Sequence, residues 1–134
     1  MFDDQSAFRE RFEWGQAGIR RLAPISDTVV VVDMLSFATA VDIAVGRGAT
    51  VLPFPERGAA AAAHARERGA LVASDRSSDG AGSPFSLSPS SLLAIPTGTR
   101  LVLPSPNGAT LVLLAAEFGT TVFAGCLRNA AATA

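Results

Sequence analysis

Polar residues cluster where apolar runs stop. Asp33 closes Thr28-Val-Val-Val-Val32, Ser105 and Asn107 follow Leu101-Val-Leu-Pro104, and Cys126, Arg128 and Asn129 follow Thr120-Thr-Val-Phe-Ala124. A further set, Asp75, Arg76, Ser86 and Ser88, lies in a Ser/Gly/Pro-rich stretch after Ala70-Leu-Val-Ala73. If the runs are parallel strands, all these residues reach the carboxyl edge, where open α/β sheets bind ligands. Asn107-Gly108 opens directly into the apolar segment Leu111 to Phe118. A helix starting there offers unpaired N–H groups and a partial positive charge to an anion. A carboxylate, an arginine and helix starts together suit a phosphate ester held by a hard divalent ion. Magnesium takes one or two carboxylates plus phosphate oxygens, and it would polarise the phosphoryl group and orient a water.

Plainer readings stand beside these. Asp33 could cap the helix that follows it, and Asn-Gly is a common turn pair. Arg128 sits near a helix start, where the dipole disfavours a cation, and a bound anion would explain the placement. Asp75 and Asp79 are by default solvated loop charges. His64 lies in an alanine-rich helix, far in sequence from the strand ends, and reads as a packing or solvent-facing residue. Cys126 is followed by Arg128 after one residue, not by the Cys-x5-Arg loop of a thiol phosphatase. There is no lysine phosphate loop and no Gly-x-Ser-x-Gly elbow. No complete nucleophile–base–acid set is present, which argues against triad hydrolysis.

The elements that must position these residues alternate. Phe8 and Phe12, at i and i+4, predict a short helix or arm over 5–14, and Gly15, Gly18 and Pro24 break the next segment. The β-branched run 28–32 predicts a strand buried on both faces. Ser36 can cap a helix from Phe37 to Val45, stopped by Gly46 and Gly48. A strand over 49–53 is ended by Pro53 and Pro55, and a helix follows from Glu56 to Arg68, then a strand over 70–73. Residues 74–91 form a loop longer than ordinary connections, expected to serve as a lid or binding loop or else to be a mobile segment. The order continues with a strand over 100–103, a helix from Thr110 to Glu117, a strand over 120–124 and a helix beginning at Ala130. Alternation of this kind predicts one three-layer α/β domain over 1–134 with a largely parallel or mixed sheet. The chain stops inside its last helix, which reads as the N-terminal portion of a longer domain.

Bulk properties narrow the class. The chain has 134 residues, 49% of them hydrophobic and only 17% charged, with a net charge of -1. That suffices for a core and leaves no basic surplus for nucleic acid. One cysteine permits no intrachain disulfide. The N-terminus lacks the order of a signal peptide, and no apolar run is long enough for a membrane span. A soluble cytoplasmic protein without nucleic-acid or membrane partners is expected.

Four motifs in order carry a resemblance. Val31-Val-Asp33-Met-Leu35-Ser-Phe-Ala-Thr39, Leu87-Ser88-Pro89, Pro104-Ser-Pro-Asn107-Gly108-Ala-Thr110 and Gly125-Cys-Leu-Arg-Asn129-Ala resemble the 2-phosphosulfolactate phosphatase family. The pair Asp75-Arg76 precedes the Ser-Pro motif, as in the family, and the resemblance covers roughly residues 10 to 134. It implies a magnesium-dependent phosphatase of α/β architecture that removes phosphate from 2-phospho-3-sulfolactate, a step toward coenzyme M. Asp33, Ser88-Pro89, Asn107-Gly108 and Asn129 match the family pattern. Asp75 stands where a glutamate is usual, Ser36 where an arginine is usual, and Leu87 where an asparagine is usual. Family members also continue past the point where this chain ends.

The expectations are then definite. Asp33, with Asp75, would hold Mg2+, and Asp33, Ser88 and Asn107 would be the catalytic groups. Ser36, Arg76, Gly108, Thr110, Arg128 and Asn129 would contact a small phosphorylated metabolite. The alternative is a truncated or degenerate member that binds such a metabolite, or a partner chain, without turning it over. A sheet lacking later elements would expose an apolar flank and invite a homo-oligomer.

Overall fold

A computed structural model describes residues 5–74 and 83–134. The strands are β1 (Thr28–Val32), β2 (Thr50–Phe54), β3 (Leu71–Val72), β4 (Arg100–Pro104) and β5 (Thr121–Gly125). The α-helices are α1 (Gly15–Leu22), α2 (Phe37–Gly46), α3 (Ala59–Glu67), α4 (Gly108–Glu117) and α5 (Ala130–Thr133). All strand pairs are parallel, as the alternating pattern predicts, but the strands divide between two sheets. One sheet is β1–β5, with Val32 opposite Gly125, and the other has the order β2–β4–β3.

Helices α2 and α4 fill the layer between them, since each contacts β2 of one sheet and β5 of the other. Sheet, helices and sheet form three α/β layers, with α3 packed on the outer face of the second sheet. On the central strand β4, Leu101 and Leu103 enter the main core with Phe37, Ile43 and Ala109. Val102 points the other way, into a smaller cluster with Ala61 and Ala65 of α3. This alternation explains why β4 reads as a continuous apolar run: helices cover both of its faces.

Several local expectations are corrected. Residues 5–14 are irregular, pinned where Gln5 Oε1 accepts from Phe12 N (2.9 Å) and Gln5 Nε2 donates to Phe12 O (2.7 Å). The helix instead occupies Gly15–Leu22, the segment that glycines were expected to break. Gly18 is buried with Glu13 against it, and α1 lies on α4, so packing overrides poor helix propensity. Pro53 lies inside β2, which ends at Phe54, directly before Pro55. Among the described residues β2 pairs on one side only, and an edge strand tolerates a proline lacking an N–H.

The expectation that β1 is buried on both faces also fails. Val31 is buried, yet Val32 is 60% exposed and Phe123 on the neighbouring β5 is 49% exposed. Val30 shares that exposed face, so one face of this sheet keeps apolar side chains open to solvent. No helix of the described residues is long and apolar enough to cross a membrane.

Candidate functional site

Two helices start against each other at the carboxyl ends of β1 and β4. Asp33 follows β1, and its backbone carbonyl accepts from Ala38 N of α2 (2.8 Å). Phe37 opens α2 and is 1% exposed. Gly108 opens α4, buried directly against both. A Cβ built on Gly108 would overlap the Phe37 ring and lie 2.6 Å from Asp33 Oδ2. Asp33 and Gly108, far apart in sequence, are thus brought together as expected. The positive ends of two helix dipoles meet at one carboxylate, a setting that favours negative charge.

Some of the polar groups expected to donate at the start of α4 are already engaged. Gly108 N donates to the hydroxyl of Ser105 (3.1 Å), which is buried, so this N–H is already engaged. The side chain of Asn107 makes no cap bond and is exposed, while its carbonyl accepts from Leu111 N (3.0 Å). Thr110 Oγ1 donates to Pro106 O (2.6 Å), so its hydroxyl proton serves the turn. The N–H groups of Ala109 and Thr110 make no hydrogen bond among the described residues. They are the donors that the helix start offers.

Ser36 does not cap α2. Its hydroxyl is buried and donates to Leu87 O (2.6 Å), tying the start of α2 to the Ser-Pro loop. Leu87 packs its side chain on the main core. Around it, Ser86 Oγ accepts from Ser88 N (3.0 Å), and Ser91 Oγ donates to Ser88 O (2.8 Å). Pro89–Leu92 form a short 3-10 turn. Ser88 Oγ lies 3.0 Å from Ser90 Oγ, on the outer side of this network. The expected ligands Asp75 and Arg76, and the loop charge Asp79, lie outside the described residues.

The third piece is the turn after β5. Because Val32 and Gly125 are register partners, this turn leaves the sheet beside Asp33. Asn129 shapes it: Oδ1 accepts from Cys126 N (2.8 Å) and Nδ2 donates to Ala124 O (2.9 Å). Both ends of the amide are engaged inside the turn, so Asn129 builds the backbone that presents Arg128. Arg128 Nε in turn donates to Asp42 Oδ2 of α2 (2.9 Å).

Sequence reading missed Asp42 and gave Ser105 no role. Ser105 could have been found from its place three residues before Gly108, the spacing of a hydroxyl that caps a helix start. Nothing local marks Asp42, because its partner is 86 positions away. His64 is half-buried with its ring on Phe54 (centroids 4.4 Å apart), as expected of a packing residue, and Cys126 is buried. Among the described residues no group of three or more His, Cys, Asp or Glu lies together. Asp33, at the two helix starts, is a carboxylate that could hold a magnesium ion, which takes one or two carboxylates and completes its shell with water and phosphate oxygens.

Layered parallel strands, with a carboxylate set between two helix starts at their carboxyl ends, define an α/β protein with a candidate site at that edge. The comparison with known families is consistent with that class. The profile of the 2-phosphosulpholactate phosphatase family matches residues 18–134, and the chain belongs to this family of phosphatases. No curated protein and no solved structure matches it.

Proposed function

We propose that the protein is a magnesium-dependent phosphomonoester hydrolase acting on a small anionic ester such as 2-phosphosulfolactate, releasing sulfolactate and phosphate. The observation that carries this reading is the meeting of the α2 and α4 starts on Asp33 and Gly108, in a chain of a phosphatase family. Asp33 would hold the metal, with Asp75 as a second ligand. Bound there, magnesium supplies charge neutralisation of the phosphoryl oxygens. The N–H groups of Ala109 and Thr110 donate to the phosphate, and the Arg76 and Arg128 guanidiniums bind its oxygens. Asn107 and Ser88 offer further polar contacts to the ester. Ser105 and Ser36 fix the backbone from which these groups act, through Gly108 N and Leu87 O.

The test is phosphate release from 2-phosphosulfolactate and from a panel of small phosphomonoesters, with and without Mg2+. Wild type should turn over at least one ester only with the metal. Asp33→Asn should abolish turnover while keeping the wild-type circular dichroism spectrum. Full activity in Asp33→Asn overturns the assignment. A folded wild type that binds phosphate yet hydrolyses none of the panel favours the non-catalytic binding alternative.

A further inference from the structure

The ion pair between Arg128 and Asp42 has no role in what has been described. It joins the turn after β5 to the second turn of α2 across 86 positions, through a single 2.9 Å contact from Nε. The arginine side chain is 57% exposed and the aspartate 22% exposed. A pair this open to water contributes little to stability, on the order of 0–1 kcal/mol. Its effect is therefore mainly geometric. Arg128 has a long side chain at a solvent-exposed turn, and left alone it would sample many rotamers.

Holding Nε on Asp42 restricts that freedom and leaves both terminal nitrogens without another hydrogen bond among the described residues. A guanidinium held at one nitrogen presents its remaining N–H groups as a fork suited to two oxygens of a phosphate. The aspartate is well placed for this. It lies four residues after Ala38, hence one helical turn along the same face of α2, and Ala38 N is bonded to the Asp33 carbonyl.

We infer that Asp42 is a positioning residue that orients the Arg128 guanidinium for a phosphate oxyanion bound at the Asp33–Gly108 helix starts. This inference rests on the phosphatase reading, because it takes the anion site from it.

The experiment titrates inorganic phosphate in the presence of Mg2+ by calorimetry, on the full chain and on Asp42→Asn, Asp42→Glu, Arg128→Ala and the double variant Asp42→Asn/Arg128→Ala. Arg128→Ala should weaken phosphate binding by about tenfold, and Asp42→Asn by about three- to tenfold, the loss expected for one charge-assisted hydrogen bond and its alignment. Asp42→Glu, which keeps the carboxylate, should recover part of the loss. In the double variant the Asp42 change should add nothing to the Arg128 loss. A merely structural pair would lower the melting temperature and leave phosphate affinity unmoved.

Wild-type affinity in Asp42→Asn, or tighter binding because Arg128 is released, overturns this inference and leaves the phosphatase reading standing. Additive losses in the double variant overturn it as well. No phosphate binding by the wild type overturns both the inference and the reading beneath it.

Discussion

Replacing Gly108 by alanine puts a methyl group where the Asp33 carboxylate and the Phe37 ring already meet. Gly108 does not hold a left-handed backbone conformation, so its requirement is for space alone. The added carbon would lie 2.6 Å from Asp33 Oδ2, whereas ordinary contact begins at 3.4 Å, so carboxylate or helix start must yield about 0.8 Å. Phe37 is 1% exposed and has no solvent to move into. Overpacking of this kind costs about 1–3 kcal/mol, and alanine returns at most about 1 kcal/mol of helix propensity. A net loss of about 1–2 kcal/mol should lower the melting temperature by roughly 3–12 °C in a domain of this size.

Gly46 supplies the control. It is also helical, at the end of α2, with nothing within 4 Å of an added Cβ and no left-handed φ. Gly46→Ala should melt at or above the wild-type temperature. Thermal denaturation followed by circular dichroism compares the three proteins, and phosphate release with Mg2+ follows Asp33. Gly108→Ala should lose most turnover even well below its melting temperature, where it remains folded, because the carboxylate has moved. A Gly108→Ala variant that melts with Gly46→Ala and keeps full turnover would refute the argument that the two helix starts and Asp33 form one packed unit.

Other consequences can be checked alongside. Ser105→Ala leaves the N–H of Gly108 without its buried acceptor and should cost about 1–3 kcal/mol, measured by chemical denaturation; an unchanged midpoint would contradict the cap. Ser36→Ala cuts the link to Leu87 O and should speed amide exchange at Ser88 and Ser91 while α3 keeps its protection, an outcome read by hydrogen-exchange NMR. Asn129→Ala removes two hydrogen bonds from the β5 turn and should cost about 1–2 kcal/mol in a thermal melt, with weaker phosphate binding through a displaced Arg128. Chelating divalent cations should stop phosphate release and leave the far-ultraviolet spectrum of the protein intact; sustained turnover in chelator would exclude the metal-dependent reading.

The site's outline was legible from the chain because strand ends are marked locally. Thr28 to Val32 stops at Asp33, and Leu101 to Pro104 stops short of Asn107-Gly108, so both were expected at one carboxyl edge and do meet there. The exact donors were not legible. The N–H of Gly108, the hydroxyl of Thr110 and the side-chain amide of Asn129 are used inside their own turns, through Ser105, Pro106, Cys126 and Ala124. Whether a polar group is satisfied locally depends on backbone angles, which residue types only bias.

Sequence alone determined the alternation of strands and helices, their parallel sense, the family of the chain and the polar residues that end its strands. The elements follow from local composition: β-branched runs favour strands, alanine-rich stretches favour helices, and short polar turns separate them; the family rests on motifs in order along the chain. Tertiary structure decided what lies on each side of an element. Apolar runs such as 28–32 and 100–104 read alike whether one face is covered or two. Yet β4 has helices on both faces, while Val32 and Phe123 of the β1–β5 sheet remain exposed. The tertiary structure likewise decided that Gly18 sits inside a helix, that Ser36 reaches Leu87 instead of capping α2, and that Asp42 holds Arg128. Each of these depends on a neighbour outside the local segment, and no local propensity encodes where that neighbour will be.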